Sequence, residues 1–268
     1  MCKKISEASL NNPLIIAQIS DCHLFSEPSS LHCGANVYQN LIVILSDIKN
    51  NIDINLIIFT GDLTQDHSEK SYQLFRQAIT YCQIPIPVYF LSGNHDEPEL
   101  LSKYLVGNPF CSSRVIENDQ WQAILVESKS KVIEGPAGQV DDIEVEKLHQ
   151  RIDPKKHQLL FMHHHPVDVG YFIDKHGLNN RDEFWLTLDK YSSIVGIACG
   201  HVHRGVILSS VSTNRSIDVY TCPATSIQFD PCAPSVKALD QGPGYRLFSL
   251  HEQGELKTSL HYPVDHLF

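Results

Sequence analysis

At 268 residues, with 42% apolar and 19% charged residues and a formal net charge of -10, the chain has an ordinary globular balance. It carries enough apolar surface for a sizeable core, and length alone admits one large domain or two small ones. It shows no basic stripe of the kind that neutralises nucleic-acid phosphates, which argues against a long polyanionic partner, and no run near the ~20 apolar residues of a membrane span.

The N-terminal stretch from Met1 to Glu7 lacks the apolar run of a secretion signal, and the eight cysteines contain no Cys-x-x-Cys pair. Reduced thiols in a cytoplasmic protein are expected. Leu14 to Ile19 reads as a strand ending at Ser20-Asp21. From Asn36 to Asn50, Val37, Leu41, Ile44, Leu45 and Ile48 share one helical face. Leu56 to Phe59 is a buried strand ending at Thr60-Gly61-Asp62. A helix follows with Tyr72, Phe75, Ile79 and Cys82 on its apolar side. Pro87 to Leu91 is a third strand, ending at Ser92-Gly93-Asn94. Trp121 to Glu127 reads as a strand and Asp141 to Arg151 as a helix with an acidic first turn, which suits its dipole. Gln158 to Met162 is a strand running into His163-His164-His165-Pro166. Glu183 to Tyr191 is helical, and Ile194 to Cys199 is a strand ending at Gly200-His201. Short β-like runs close the chain at Gly205 to Ser209, Ser216 to Thr221 and Tyr245 to Leu250. Strand–helix alternation argues for an α/β core. With no repeat, low-complexity tract or linker in view, residues 1–268 are expected to form a single domain. The stretch Val167 to Asn180 has the length and composition of a lid or binding loop.

Fifteen histidines are more than packing needs. Several cluster with Asp and Asn in five short runs: Asp21-Cys22-His23, Gly61-Asp62, Gly93-Asn94-His95-Asp96, His163-His164-His165-Pro166 and Gly200-His201-Val202-His203. Each run begins where an apolar strand stops. In open α/β sheets the crevice beyond the strands' carboxyl ends is where ligands bind, so five such ends would gather these side chains in one place. Carboxylate, imidazole and amide oxygen suit Mn, Fe or Zn, and no thiolate is required. One carboxylate must bridge two ions roughly 3.5–4 Å apart. Asp62 is the candidate, standing alone on its turn beside Gly61. Asp21 and His23, and likewise His201 and His203, are two residues apart and point the same way if strand geometry persists. Cys22 and Cys199 then face away and pack. Each run alone has a blander explanation: a capping Asp, a turn, a solvated strand end. In this order, each at a strand end, they define a dinuclear metal centre.

These five runs resemble the signature of the calcineurin-like metallophosphoesterases, from residue 14 to about residue 250. Within that superfamily the chain is most similar to the class III cyclic-nucleotide phosphodiesterases. The narrower likeness rests on Phe161 to Pro166, Asp174 to Asn180 and Cys222 to Phe229. The resemblance implies a four-layer α/β/β/α sandwich with the metals at the carboxyl ends of the strands. It implies Asp21, His23, Asp62 and His203 on the first ion, and Asp62, Asn94, His164 and His201 on the second, with Fe or Mn ahead of Zn. The family's ligand lies two residues before the proline, which selects His164. His163 and His165 would then face the opposite side under strand alternation. His95 would be the acid for the leaving group, with Asn94 beside it. His23, Asp62, Asn94, His95 and His203 would touch the substrate. Asn180 is a candidate for base recognition, with helix capping as its other role.

The implied activity is hydrolysis of 3′,5′-cyclic AMP to 5′-AMP by a hydroxide bridging two ions. The implied partner is a small cyclic nucleotide, not nucleic acid or membrane. A broad-specificity metallophosphoesterase acting on other diesters, monoesters or dinucleotides keeps the same centre. A non-catalytic metal-binding scaffold is the alternative of another class.

Overall fold

The computed structural model describes residues 13–211 and 215–263. Residues 1–12, on which the expected lack of a secretion signal rests, lie outside them. Strand β1 (Leu14–Ile19) is followed by a small hairpin, β2 (Leu31–His32) and β3 (Ala35–Asn36), and by α1 (Val37–Asn50). Next come β4 (Leu56–Phe59), α2 (Glu69–Tyr81), β5 (Val88–Phe90), α3 (Pro98–Tyr104) and β6 (Phe110–Cys111). The chain continues through β7 (Val115–Glu117), β8 (Trp121–Leu125), α4 (Asp142–Arg151), β9 (His157–Met162) and α5 (Arg181–Leu188). It ends with β10 (Ile194–Cys199), β11 (Ile207–Val211), β12 (Ser216–Thr221), β13 (Tyr245–Leu250) and β14 (Leu256–His261).

Two six-stranded sheets result, in the orders β14-β13-β1-β4-β5-β6 and β11-β12-β10-β9-β8-β7. The first sheet is parallel from β1 through β4 and β5 to the edge strand β6, with β13 and β14 antiparallel; the second is parallel from β12 to β8, with β11 and β7 antiparallel at its edges. Strand alternation sorts side chains into layers. Ala17, Ile19, Ile57 and Phe59 pack under α1 and α2, while Leu14, Ile16, Leu56 and Ile58 face the other sheet. On the far side, Leu160, Met162, Ile197 and Cys199 pack against Leu148 of α4 and Phe184 and Leu188 of α5. The architecture is therefore the expected α/β/β/α sandwich. Central strands buried on both faces read as continuous apolar runs, which is why they stand out in the sequence.

The layer between the sheets includes an aromatic contact that joins them. Phe161 of β9 meets Phe248 of β13 edge-on, ring centroids 5.6 Å apart, and both are fully buried. Phe161→Ala should lower stability by about 3–5 kcal/mol through lost burial and the cavity left behind. Denaturant titration would show a lower midpoint at unchanged slope; a change below about 1 kcal/mol would mean that the sheets re-pack.

Register positions the functional loops. Ile19, Phe59 and Phe90 are consecutive partners across β1, β4 and β5, so these strands end level. Met162, Cys199 and Thr221 do the same across β9, β10 and β12. All five runs leave the sheets along one edge of the sandwich. Caps set where the helices begin. The Asn36 side chain accepts the Gln39 N–H (2.9 Å), starting α1 one residue later than the periodicity suggests, and Ser68 caps α2.

Candidate metal centre

The residues that leave the strands do not continue in strand geometry. Asp21, His23, Asp62, His201 and His203 have φ of 57°, 46°, 57°, 65° and 54°. Left-handed backbone is costly for residues other than glycine, and five cases in one site mark it as over-determined by its surroundings. The bracing is visible. Asp21 N–H donates to Gly61 O (2.9 Å), His23 N–H to Asp62 O (3.1 Å), and His201 N–H to the Asp21 carboxylate (3.0 and 3.1 Å). The glycines before Asp62 and Asn94 interlock. A Cβ on Gly61 would lie 2.3 Å from Gly93 N, and one on Gly93 would lie 2.2 Å from Asp62 Oδ1. The loop from Gly93 to Asp96 is clamped from both sides. The buried Asp96 carboxylate accepts the N–H groups of Gly93 and Leu63 (both 2.9 Å), while Lys129 donates to the carbonyls of Asn94 and Asp96.

Two donor clusters share one carboxylate. In the first, His23 Nδ1 donates to Gln65 Oε1 (2.8 Å) and His203 Nδ1 to Ile227 O (2.8 Å). In the neutral rings both Nε2 atoms then carry lone pairs, and these face each other at 3.1 Å. Asp21 Oδ1 lies 3.5 Å from His203 Nε2, and Asp62 Oδ2 lies 3.6 Å from His23 Nε2. In the second cluster His163 Nδ1 donates to Thr60 O (2.7 Å), turning its Nε2 inward. That atom faces Asn94 Oδ1 at 3.1 Å, His201 Nδ1 at 3.2 Å and the same Asp62 Oδ2 at 3.4 Å. Asp62 Oδ1 is anchored separately by the His95 N–H (2.8 Å).

Buried acceptors that point at one another need a positive charge between them. Burial holds His23 and His201 well below the ordinary imidazole range, so neither supplies a proton readily. Burial also opposes an imidazolium at His163, but Asp62 and Asp21 outweigh it and push its pKa up to about 9. Asp62 itself is buried, yet His163, His95 and His23 hold it well below the usual carboxylate range. A cation performs the same electrostatic task for all these lone pairs and displaces the proton. The spacing also suits an ion: with metal–donor bonds of about 2.1 Å, adjacent donors of a tetrahedral or octahedral shell stand about 3.0–3.4 Å apart. The residues therefore fit a pair of metal ions.

Within the histidine triplet the geometry differs from the expectation. Strand β9 ends at Met162, so alternation does not extend to His163, which turns into the cluster instead of away from it. A nitrogen of His164 lies within 4.8 Å of donor atoms of His163 and His201. Its ring is nevertheless engaged at both nitrogens, by Ser128 Oγ (2.9 Å) and by the carbonyl of Pro136 (3.1 Å). His165 is buried, 3.4 Å from Asp174 Oδ1, and its ring stacks on His201. The expected base-recognising Asn180 also has its amide occupied. It exchanges hydrogen bonds with Val140 N–H (3.1 Å) and O (2.9 Å), and its side chain does not cap α5. The 167–180 stretch is packed rather than loose: Ile173 is buried with Ile227 and Phe229, and Tyr171 donates to Val202 O.

Other residues that shape the centre carry no motif. Phe229 stacks face to face on His203 at 3.8 Å, and Gln65 and Ile227 fix the tautomers of the first cluster. Only the likeness of the Cys222 to Phe229 segment pointed to this region. Cys22 and Cys199 are fully buried and pack, as expected, and burial pushes both thiols up.

The chain belongs to the calcineurin-like phosphoesterase family, whose pattern it matches over residues 14–205. It is 52% identical, over 93% of its length and 95% of the relative's, to a probable cyclic nucleotide phosphodiesterase of Colwellia psychrerythraea. It is 31% identical to the 3′,5′-cyclic adenosine monophosphate phosphodiesterase CpdA of Escherichia coli K12, over 94% of this chain and 91% of that one. Solved structures share the fold at low identity. A dimetal phosphatase from Danio rerio matches with a TM-score of 0.60 at 12% identity, covering 95% of this chain and all of that one. The yellow lupin purple acid phosphatase PPD1 gives 0.63 at 15%, covering 96% of this chain and 52% of the other. Among the described residues no helix is long and apolar enough to cross a membrane.

Proposed function

We propose that the protein hydrolyses the 3′,5′-cyclic phosphodiester of cyclic AMP to 5′-AMP at a dinuclear centre of Fe, Mn or Zn. The observation that carries the proposal is Asp62 Oδ2, placed 3.6 Å from His23 Nε2 and 3.4 Å from His163 Nε2, so that one oxygen serves both donor clusters. The naming of the Escherichia coli and Colwellia relatives supports the cyclic nucleotide as substrate. Asp21, His23, Asp62 and His203 hold one ion; Asp62, Asn94, His163 and His201 hold the other. In this proposal His163 replaces His164, because its Nε2 faces the cluster while both nitrogens of His164 are engaged elsewhere.

When bound, two such cations acidify a water into a nucleophile and neutralise charge on the phosphoryl oxygens. The chain's own groups do the rest. Asn94 and His95 flank the phosphoryl group from the clamped loop, where fixed donors stabilise developing charge without reorganising. As oxygen bonds to phosphorus from the opposite side, the bond from phosphorus to the 3′ oxygen breaks. His95 gives its proton to that departing oxygen, and the product is the 5′ monoester. An alkoxide is a poor leaving group, so a positioned acid contributes about 10²–10⁴-fold.

Metal analysis of the purified protein, joined to rates on cyclic AMP, cyclic GMP, 2′,3′-cyclic AMP and an aryl phosphodiester, tests the reading. A preference for 3′,5′-cyclic AMP that disappears with chelation is expected. Equal rates across the panel would replace it with a broad phosphoesterase. Metal bound without hydrolysis of any diester would replace it with a scaffold. His163→Ala should remove one ion and lower turnover by about 10²-fold or more, since the site loses a donor and charge stabilisation of several kcal/mol. His164→Ala should keep both ions. The opposite pattern of metal content would return the ligand role to His164.

A further inference from the structure

Beside the proposed proton donor stands a histidine that no motif includes. His67 lies in the turn between β4 and α2, with an exposed side chain and φ of 56°. Its ring is parallel to that of His95, 6° between planes and 5.6 Å between centroids. Its Nδ1–H donates to the His95 carbonyl (2.9 Å). The turn that carries it is tied down. The Asp66 carboxylate accepts from Ser26 N–H (2.7 Å), Ser68 N–H (3.1 Å) and Ser68 Oγ (2.7 Å). A left-handed residue whose side chain adds nothing to the core is strain held for something else.

The neighbouring ring gives that strain a use. His95 Nδ1 is buried without a hydrogen-bond partner, so no bond from its own side chain fixes the ring's rotation. The contacts that do so are rings: a T-shaped contact with His23 (4.9 Å, 83°) and a parallel one with His67. We propose that His67 is a positioning residue for proton transfer, holding the His95 ring aimed at the leaving oxygen through an offset stack and a bond to its backbone carbonyl. The inference rests on the phosphodiesterase reading above. Aromatic pairs at this separation are favourable, and small misplacements of a reacting group cost heavily in rate.

The test uses the leaving group. His67→Asn removes the ring while keeping a residue that tolerates left-handed backbone, so the turn stays folded. On cyclic AMP, whose leaving group is an alkoxide, kcat should fall about tenfold with KM and metal content unchanged. On bis(p-nitrophenyl) phosphate, whose phenolate leaves without a proton, the rate should stay within about twofold. On the His95→Ala background, His67→Asn should add nothing on cyclic AMP. Equal loss on both substrates, or full multiplication of the two mutations, overturns the proposal and leaves His67 a structural turn residue. An unmutated protein active on the aryl diester but inert on cyclic AMP overturns the substrate reading instead. The comparison is then made with 2′,3′-cyclic AMP, which also expels an alkoxide.

Discussion

Asp62→Ala should strip both metal ions in one step and lower turnover by about 10³-fold or more, the loss expected when several kcal/mol of charge stabilisation disappear. The cause is the division of labour within one carboxylate. Oδ2 faces both donor clusters, and Oδ1 accepts the His95 N–H (2.8 Å), which fixes the carboxylate plane. Asp62 is buried and held ionised by three histidines, so it supplies formal charge that no neighbouring amide can replace. Asp62→Asn keeps the shape and one acceptor but removes the charge, and should lose both ions as well. Asp21→Ala removes Oδ1, 3.5 Å from His203 Nε2, and also the acceptor of the His201 N–H, so it should cost the first ion and weaken the second without removing it. Metal content per protein molecule is the measurement, because rate alone cannot separate lost metal from a displaced His95. One ion retained in Asp62→Ala would show that the carboxylate belongs to a single site.

Much of this was legible in the sequence, for identifiable reasons. The strands were visible because β1, β4, β9 and β10 are buried on both faces and need apolar residues at nearly every position. The runs of Asp, Asn and His were visible because each follows such a strand. Elements at the margins were harder to see. β14 is an edge strand with exposed positions along its length, and α3 has seven residues, too few for a period to declare itself.

Which histidine of a triplet faces the metals is a different kind of question. Alternation is a property of strands, and the site is built from backbone that has left the strand. His23, His201 and His203 take left-handed conformations. Their orientation is set by hydrogen bonds from segments far away in sequence, such as His201 N–H on Asp21 or His203 Nδ1 on Ile227. The proposed choice of His163 over His164 rests on Thr60 O and Pro136 O, two carbonyls whose positions no local pattern reports. Asn180 illustrates the same limit, since its amide is consumed by Val140, forty residues earlier.

His95→Ala should leave both ions in place and lower kcat on cyclic AMP by about 10²–10⁴-fold. The separation of these two effects follows from geometry. A His95 nitrogen lies within 4.8 Å of donor atoms of His23 and Asp62, close enough to reach a substrate bound there. The residue's hydrogen bond to the Asp62 carboxylate, the proposed shared ligand, comes from its backbone N–H, which alanine retains. Burial lowers the His95 pKa, and the nearby His67, His163 and His203 add to that against the pull of Asp62, so its proton is given up more readily than that of a free imidazole. An acid must be protonated to work, so kcat should fall as pH rises through its ionisation, and this alkaline limb should be absent from His95→Ala on cyclic AMP. On an aryl diester the mutation should cost little, because a phenolate departs without a proton. Equal losses on both substrates would move His95 from proton transfer to charge stabilisation. Loss of metal from His95→Ala would instead place it among the groups that hold the centre together.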